Sequence, residues 1–252
     1  MTEEDIARLV ALHIDGDRQG PGSDVVTRRA LEMTGLADVE NLRIADIGCG
    51  TGASALILAG LRGARVDAVD FLPEFLDRLR DRARAAGLAQ QIVTHCTDMG
   101  ALPLAKGAYD LVWSEGAIYN IGFANGVAAF RPLLRPGGVL AVSELTWLTA
   151  SRPDPLTTHW DAAYPEVDTA SAKIAVLEAA GYTPIGYFPL PRDAWMDTYY
   201  SPLRNRFSGF LAAQGNDPAA LAVVEAEEAE IALYERYSHY VSYGFYIAKV
   251  QS

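Results

Sequence analysis

The chain has 252 residues, half of them hydrophobic and 21% charged, which excludes a disordered chain and allows one large domain or two small ones. Its 21 basic and 32 acidic side chains leave a formal net charge of −11. A field of that sign repels phosphate backbones, so nucleic acid is not an expected partner.

The acidic start, Met1-Thr-Glu-Glu-Asp5, is unlike the basic opening of a signal peptide. The most apolar stretch, residues 44–61, is interrupted by Asp46 and four glycines, so no membrane span is expected. Cys49 and Cys96 have neither metal-ligand nor disulfide spacing. The expectation is a soluble, cytoplasmic protein with no metal site.

A helix is predicted over residues 23–35 with Ser23 as its N-cap. Then come a strand at 42–48, a helix at 53–61, a strand at 65–71 and a helix at 74–86. Strands follow at 91–97 and 109–115, then a helix ending near 134, the turn Pro136-Gly137-Gly138, and a fifth strand at 139–145. This alternation implies crossover units and a parallel sheet, covered on both faces.

Beyond residue 145 the rhythm changes. A polar and aromatic segment, 146–168, precedes a helix at 169–180 and a strand at 183–190. Asp217 and Pro218 open a long helix reaching about residue 240. Leu221, Val224, Ile231 and Tyr234 share an arc of it, but Glu227 and Glu228 fall in the same arc, so this helix is expected to border a cleft. A strand at 241–250 closes the chain and pairs antiparallel with its predecessor at one edge of the sheet. No linker divides the chain, and one α/β domain spanning 1–252 is expected.

The segment Ile44-Ala-Asp46-Ile-Gly48-Cys-Gly50-Thr-Gly52 lies between a predicted strand and a predicted helix. Glycines there permit a tight turn and close approach of a ligand to the helix N-terminus. Asp70 ends the next strand, where a carboxylate can accept ribose hydroxyls, and Asp98 ends the third, beside Met99. Gly48-x-Gly50-x-x-Ala53 also meets the relaxed dinucleotide fingerprint. A pyrophosphate would meet the Asp46 carboxylate, whereas the sulfonium and ammonium of S-adenosylmethionine would be favoured by it.

These strings resemble class I S-adenosylmethionine-dependent methyltransferases: Asp46 to Gly52 the first motif, then Val69-Asp70-Phe71, Thr97-Asp98-Met99 and Leu134-Arg-Pro-Gly-Gly138. Arg18-Gln-Gly-Pro-Gly-Ser23, Ser114-Glu-Gly-Ala-Ile-Tyr-Asn-Ile-Gly122 and Trp160-x-x-x-Tyr164-Pro-Glu166 are similar to a subgroup of stand-alone bacterial enzymes. The resemblance implies a Rossmann-like, mostly parallel seven-stranded sheet with its last strand antiparallel, helices on both faces and inserted lid helices. It implies N-terminal helices (1–40) over the cofactor, a cofactor-binding core (41–145), and substrate-facing insertions with a C-terminal hairpin (146–252).

S-adenosylmethionine is the implied cofactor. The backbone of Gly48, Gly50 and Thr51 would lie against its methionine part, near Asp46. Asp70 would hold the ribose with Phe71 beside the adenine, and Asp98 and Met99 would hold the adenine. Glu115 would face the methyl-transfer site, and Gln19 and Gly20 would fold over the cofactor.

In-line displacement on an activated methyl needs placement, exclusion of water and, for a protonated nucleophile, a general base. Glu115 and His159 are the candidates. His95 lies within a strand, and His13 and His239 carry no motif. Of 24 aromatic residues, 17 follow Leu145. Tyr119, Glu144, Trp147, Trp160, Tyr164 and Tyr200 are the expected substrate pocket, for a small aromatic or cationic molecule. A homodimer is compatible with the exposed aromatic segments. The alternatives are a protein or RNA substrate, or a nicotinamide-dependent reductase.

Overall fold

The structure, a computed structural model, describes residues 2–251. Its centre is a twisted sheet in the order β3-β2-β1-β4-β5-β8-β7. β1 (Arg43–Ile47), β2 (Arg65–Asp70), β3 (Ile92–Cys96), β4 (Tyr109–Ser114) and β5 (Leu134–Trp147) run parallel. β8 (Val241–Val250) inserts antiparallel between β5 and β7 (Tyr182–Pro189). The last two strands therefore pair as expected, but β7 alone forms that edge. β4 pairs with β5 only as far as Val142, and the two-residue β6 (Asp168–Thr169) takes up the same strand at Thr146 and Trp147.

The central strands are buried on both faces, and period-two alternation divides their side chains between two apolar layers. Ile44, Trp113, Ala141 and Phe245 face one layer, with α2 (Asp24–Met33), α3 (Ala53–Ala59) and α4 (Pro73–Ala85). Ala45, Val112, Val142 and Tyr246 face the other, under α5 (Phe123–Phe130) and α7 (Ala170–Ala179). Ser23 caps α2 as predicted, its hydroxyl accepting from the Val26 amide at 3.2 Å.

The remaining helices gather above the C-terminal ends of the parallel strands. α1 (Glu3–His13) leads into a strap of turns and bends, residues 14–23. Within 146–168 lies α6 (Asp154–Ala163), which the sequence reading left irregular. α8 (Asp193–Trp195), a π-helical turn (Met196–Tyr200) and α9 (Ser201–Ala213) are further inserted helices for which the sequence reading gives no bounds. Their cues are Pro155 and Pro202 in the first helical turns, and Leu203, Phe207 and Phe210 at spacings of four and three. α10 (Pro218–Tyr237) starts at the predicted Asp217 cap and ends three residues before the predicted stop. No helix of the described residues is long and apolar enough to cross a membrane.

Candidate active site

A cavity of about 600 Å³ opens where β1 and β4 part, over the C-terminal ends of β1, β2, β3, β4 and β5. This is the topological switch point of the sheet, the usual ligand crevice of an open α/β fold. α1, the strap, α6, the π-helical turn and α10 roof it.

The glycine loop is the floor. Gly48, Gly50 and Gly52 have φ of +75°, +54° and +90°, conformations that side chains resist. A Cβ on Gly48 would overlap that of Ala117, and one on Gly50 would overlap the Gln19 carboxamide. Asp70 organises this turn: one carboxylate oxygen accepts from the Gly50 amide at 2.9 Å, the other from the Leu72 amide at 3.0 Å. Burial pushes the Asp70 carboxyl above its usual range while those two amides oppose the shift.

The strap is fastened to the same loop. The Gln19 carboxamide oxygen accepts from the Thr51 amide at 2.9 Å, and its nitrogen donates to the Gly16 carbonyl at 3.0 Å. The Gly50 and Thr51 amides, which a pyrophosphate at this helix start would need, are thus held by side chains of the protein itself. Arg18 enters beside Gln19 and donates to Glu115 at 2.8 Å. That carboxylate also accepts from Thr27 Oγ1 at 2.9 Å and Trp113 Nε1 at 3.2 Å. Both partners of the ion pair are buried, with side-chain exposures of 9% and 4%.

Of the residues assigned to the cofactor, Gln19, Gly20, Gly48, Gly50 and Asp70 line the cavity. Phe71, Asp98, Met99 and Glu115 line it as well. Asp46 and Thr51 do not. Strand alternation turns Asp46 beneath the loop, where it accepts from Ser54 Oγ at 2.8 Å while its Oδ1 has no hydrogen-bond partner. Burial, with the charges of Glu115 and Asp70, pushes its carboxyl up to about 7. The acids that face the cavity are Asp70, Asp98, Glu115, Glu227 and Glu230. Thr51 is sealed under Gln19 and the Arg82 guanidinium.

The expected substrate residues divide similarly. Tyr119, Trp160 and Tyr164 line the cavity. Glu144 does not, because alternation along β5 sends Leu145 to the cavity and Glu144 to the opposite face. There it lies 3.4 Å from Lys173 of α7, and burial pushes its carboxyl up to about 7. Trp147 packs beneath the Arg152 guanidinium, 4.6 Å from its ring centre. Tyr200 is fully buried behind the wall and donates to Glu230 at 2.8 Å. His159 also misses the cavity: successive helical positions diverge by about 100°, and Trp160 takes the inward one with Ala163 and Tyr164. His159 instead abuts Trp160 edge-on at 4.8 Å.

The sequence reading missed Arg18, His13, Glu230 and Tyr243, all on the wall, where Trp195 and Tyr199 of the late aromatic group also lie. Glu227 borders the cavity as the mixed arc of α10 suggested, whereas Glu228 pairs with Arg204 at 2.9 Å on the outside.

A family model described as "Methyltransferase domain" matches residues 44–138. The methyltransferase GfsG of Streptomyces halstedii is 32% identical over 104 residues, 41% of this chain and 37% of that protein. The dimethylglycine N-methyltransferase of Parasynechococcus marenigrum (strain WH8102) is 34% identical over 102 residues, 40% of this chain and 36% of that one. The chain thus spans little more than a third of the length of the curated relatives it matches. A SAM-dependent methyltransferase from Thiobacillus denitrificans, solved with S-adenosyl-L-homocysteine, superposes with a TM-score of 0.81 at 19% identity and covers 99% of both chains. Sheet order, reversed penultimate strand position and crevice give this chain the fold of the Rossmann-like class I methyltransferases, and residues 44–138 match the methyltransferase-domain model.

Proposed function

We propose that this protein transfers a methyl group from S-adenosylmethionine to a small organic acceptor by in-line displacement. One observation carries the reading most directly. At the start of α3 the loop offers a close-approach surface of glycine backbone, yet its Gly50 and Thr51 amides are engaged by Asp70 and Gln19. Such a floor suits a phosphate-free adenosine compound and leaves no cradle for a diphosphate.

When bound, S-adenosylmethionine supplies a methyl group already activated on a sulfonium. The chain's own residues do the rest. Asp70 has lone pairs left for ribose hydroxyls after serving two amides. Asp98 accepts an exocyclic amine, and Met99 and Phe71 flank the adenine. Gly48 and Gly50 admit the methionine portion. Glu115, held by Arg18, faces it with a fixed negative charge. The roof of α1, α6 and α10 keeps water from the reacting groups, and Tyr119, Trp160 and Tyr164 shape the acceptor's end.

The cavity wall draws on residues from Leu9 to Tyr243, which supports one working domain over the whole chain. A cavity of about 600 Å³ that must hold cofactor and acceptor together suits a small acceptor. The name of the dimethylglycine N-methyltransferase points the same way. Free Cys49 and Cys96 fit a reducing, cytoplasmic setting.

The test is label transfer. Protein incubated with methyl-labelled S-adenosylmethionine and a cell metabolite extract should move label into a low-mass product. Label appearing only in protein or RNA, or nowhere despite cofactor binding, would refute the reading.

A further inference from the structure

The α10 side of the cavity carries negative charge that the protein leaves uncompensated. Glu227 and Glu230 of α10 both line the wall. Among the described residues, no lysine or arginine lies within 4.0 Å of either carboxylate. The contrast on the same helix is sharp: Glu228 and Glu235 share Arg204, at 2.9 and 3.0 Å. Glu230 receives only the Tyr200 hydroxyl, and Glu227 only approaches His13 Nε2, at 4.0 Å.

His13 is a second and independent sign of a ligand. It lines the same cavity, is 7% exposed, and its Nδ1 has no hydrogen-bond partner. A buried ring nitrogen without a partner costs stability unless something polar meets it. Burial lowers the His13 pKa to about 4, so the ring is neutral and gives Glu227 no counter-charge. Burial and the charge of Glu230 push the Glu227 carboxyl up to about 7.

Aromatic faces complete the wall. Trp195 stacks on Tyr234 at 4.3 Å and meets Tyr243 at 5.1 Å. Tyr199 stacks beside His13 at 6.4 Å. Trp195, Tyr199 and Tyr243 all line the cavity. Carboxylates without a counter-ion, set among aromatic rings, make a receptor for an organic cation. A neutral hydroxyl acceptor would leave the two acids facing each other without compensation.

We propose that the acceptor is a protonated amine bearing at least one N–H, received between Glu227, Glu230 and the rings of Trp195, Tyr199 and Tyr243, with Glu227 taking its proton. This rests on the methyltransferase reading above. The ammonium gives one proton to the Glu227 carboxylate. The freed nitrogen lone pair forms the N–C bond to the methyl carbon as the C–S bond breaks and its electron pair stays on sulfur. The products are an N-methylated ammonium, a neutral thioether and a protonated Glu227, which returns its proton to solvent. The neutral His13 ring is left to accept from, or donate to, a polar group of the same molecule.

Calorimetry tests this with phenethylamine and benzylamine against 2-phenylethanol and benzyl alcohol, near pH 8, on protein with and without S-adenosylhomocysteine. The amines should bind at least about tenfold more tightly than the matched alcohols. Glu227→Gln should erase that preference while the S-adenosylhomocysteine Kd stays within about twofold, and Glu228→Gln should leave it intact. Alcohols binding as tightly as amines, neither amine binding detectably, or Glu227→Gln weakening S-adenosylhomocysteine instead would overturn the proposal. Failure of S-adenosylhomocysteine to bind at all would sink the methyltransferase reading, and the titrations without it would judge the amine site separately.

Discussion

The Arg18–Glu115 pair ties the N-terminal strap to the end of β4, and a double-mutant cycle measures that tie. The charged groups meet at 2.8 Å with side chains 9% and 4% exposed, so solvent screens them little. Two unit charges with centres about 4 Å apart attract by about 4 kcal/mol at the effective dielectric suited to proteins. Arg18→Met leaves Glu115 with Thr27 and Trp113 as its donors, and Glu115→Gln leaves Arg18 with Asp24 and Thr27. These residual partners soften each single loss to about 2–4 kcal/mol, below the usual cost of breaking a wholly isolated buried pair. The double variant should then be more stable than the sum of the singles by about 2–3 kcal/mol. Urea denaturation of the four proteins gives that coupling. Limited proteolysis should cut the Arg18→Met strap first. A coupling below about 0.5 kcal/mol would mean that the pair is as screened as one on the surface and does not fasten the strap.

The buried Asp46 and Glu144 and the partly buried Glu227 shape the pH dependence of stability. Asp46, Glu144 and Glu227 are held up to about 7 in the folded protein, against ordinary values of 3.8, 4.5 and 4.5. Folded protein therefore keeps protons that the unfolded chain has released, and that stabilisation is lost as pH rises through about 7. His13, lowered to about 4, opposes them, since its contribution grows as pH rises through 6.5. From pH 6 to 8 the acids together lose about 4 kcal/mol and His13 returns about 1, so Tm should fall; an equal or higher Tm at pH 8 would contradict the burial assigned here. Asp70→Asn puts an amide NH₂ against one of two backbone N–H groups and removes the charge proposed for the ribose. The S-adenosylhomocysteine Kd should rise about 10- to 100-fold, and a change within about twofold would remove Asp70 from the site.

The parallel core was legible because its signals are local. Runs such as Ile44 to Ile47 are buried on both faces, and the glycines at positive φ punctuate them where β1 turns into α3. The roof was less legible because it lines a cavity as well as a core. Trp160 and Ala163 share a face of α6, but they and Tyr164, just past its end, present themselves to the ligand space, so no simple apolar stripe marks the helix. The expectation for Asp46 misses by one step of strand alternation: its side chain is buried against Ser54, whereas Asp70 and Glu115, named with it, line the cavity. Glu144 failed for the same reason. His13 could not be found from sequence, since only the fold brings α1 against α10.

A crevice with this floor should hold an adenosine compound with cationic sulfur, or its thioether product, and have no place for a diphosphate. Calorimetric titration of the one protein with S-adenosylhomocysteine and with NADH tests it most directly. Saturable binding of S-adenosylhomocysteine, weakened by Asp70→Asn, and no measurable heat from NADH are the expected results. Tight binding of NADH, with S-adenosylhomocysteine unable to displace it, would contradict this reading.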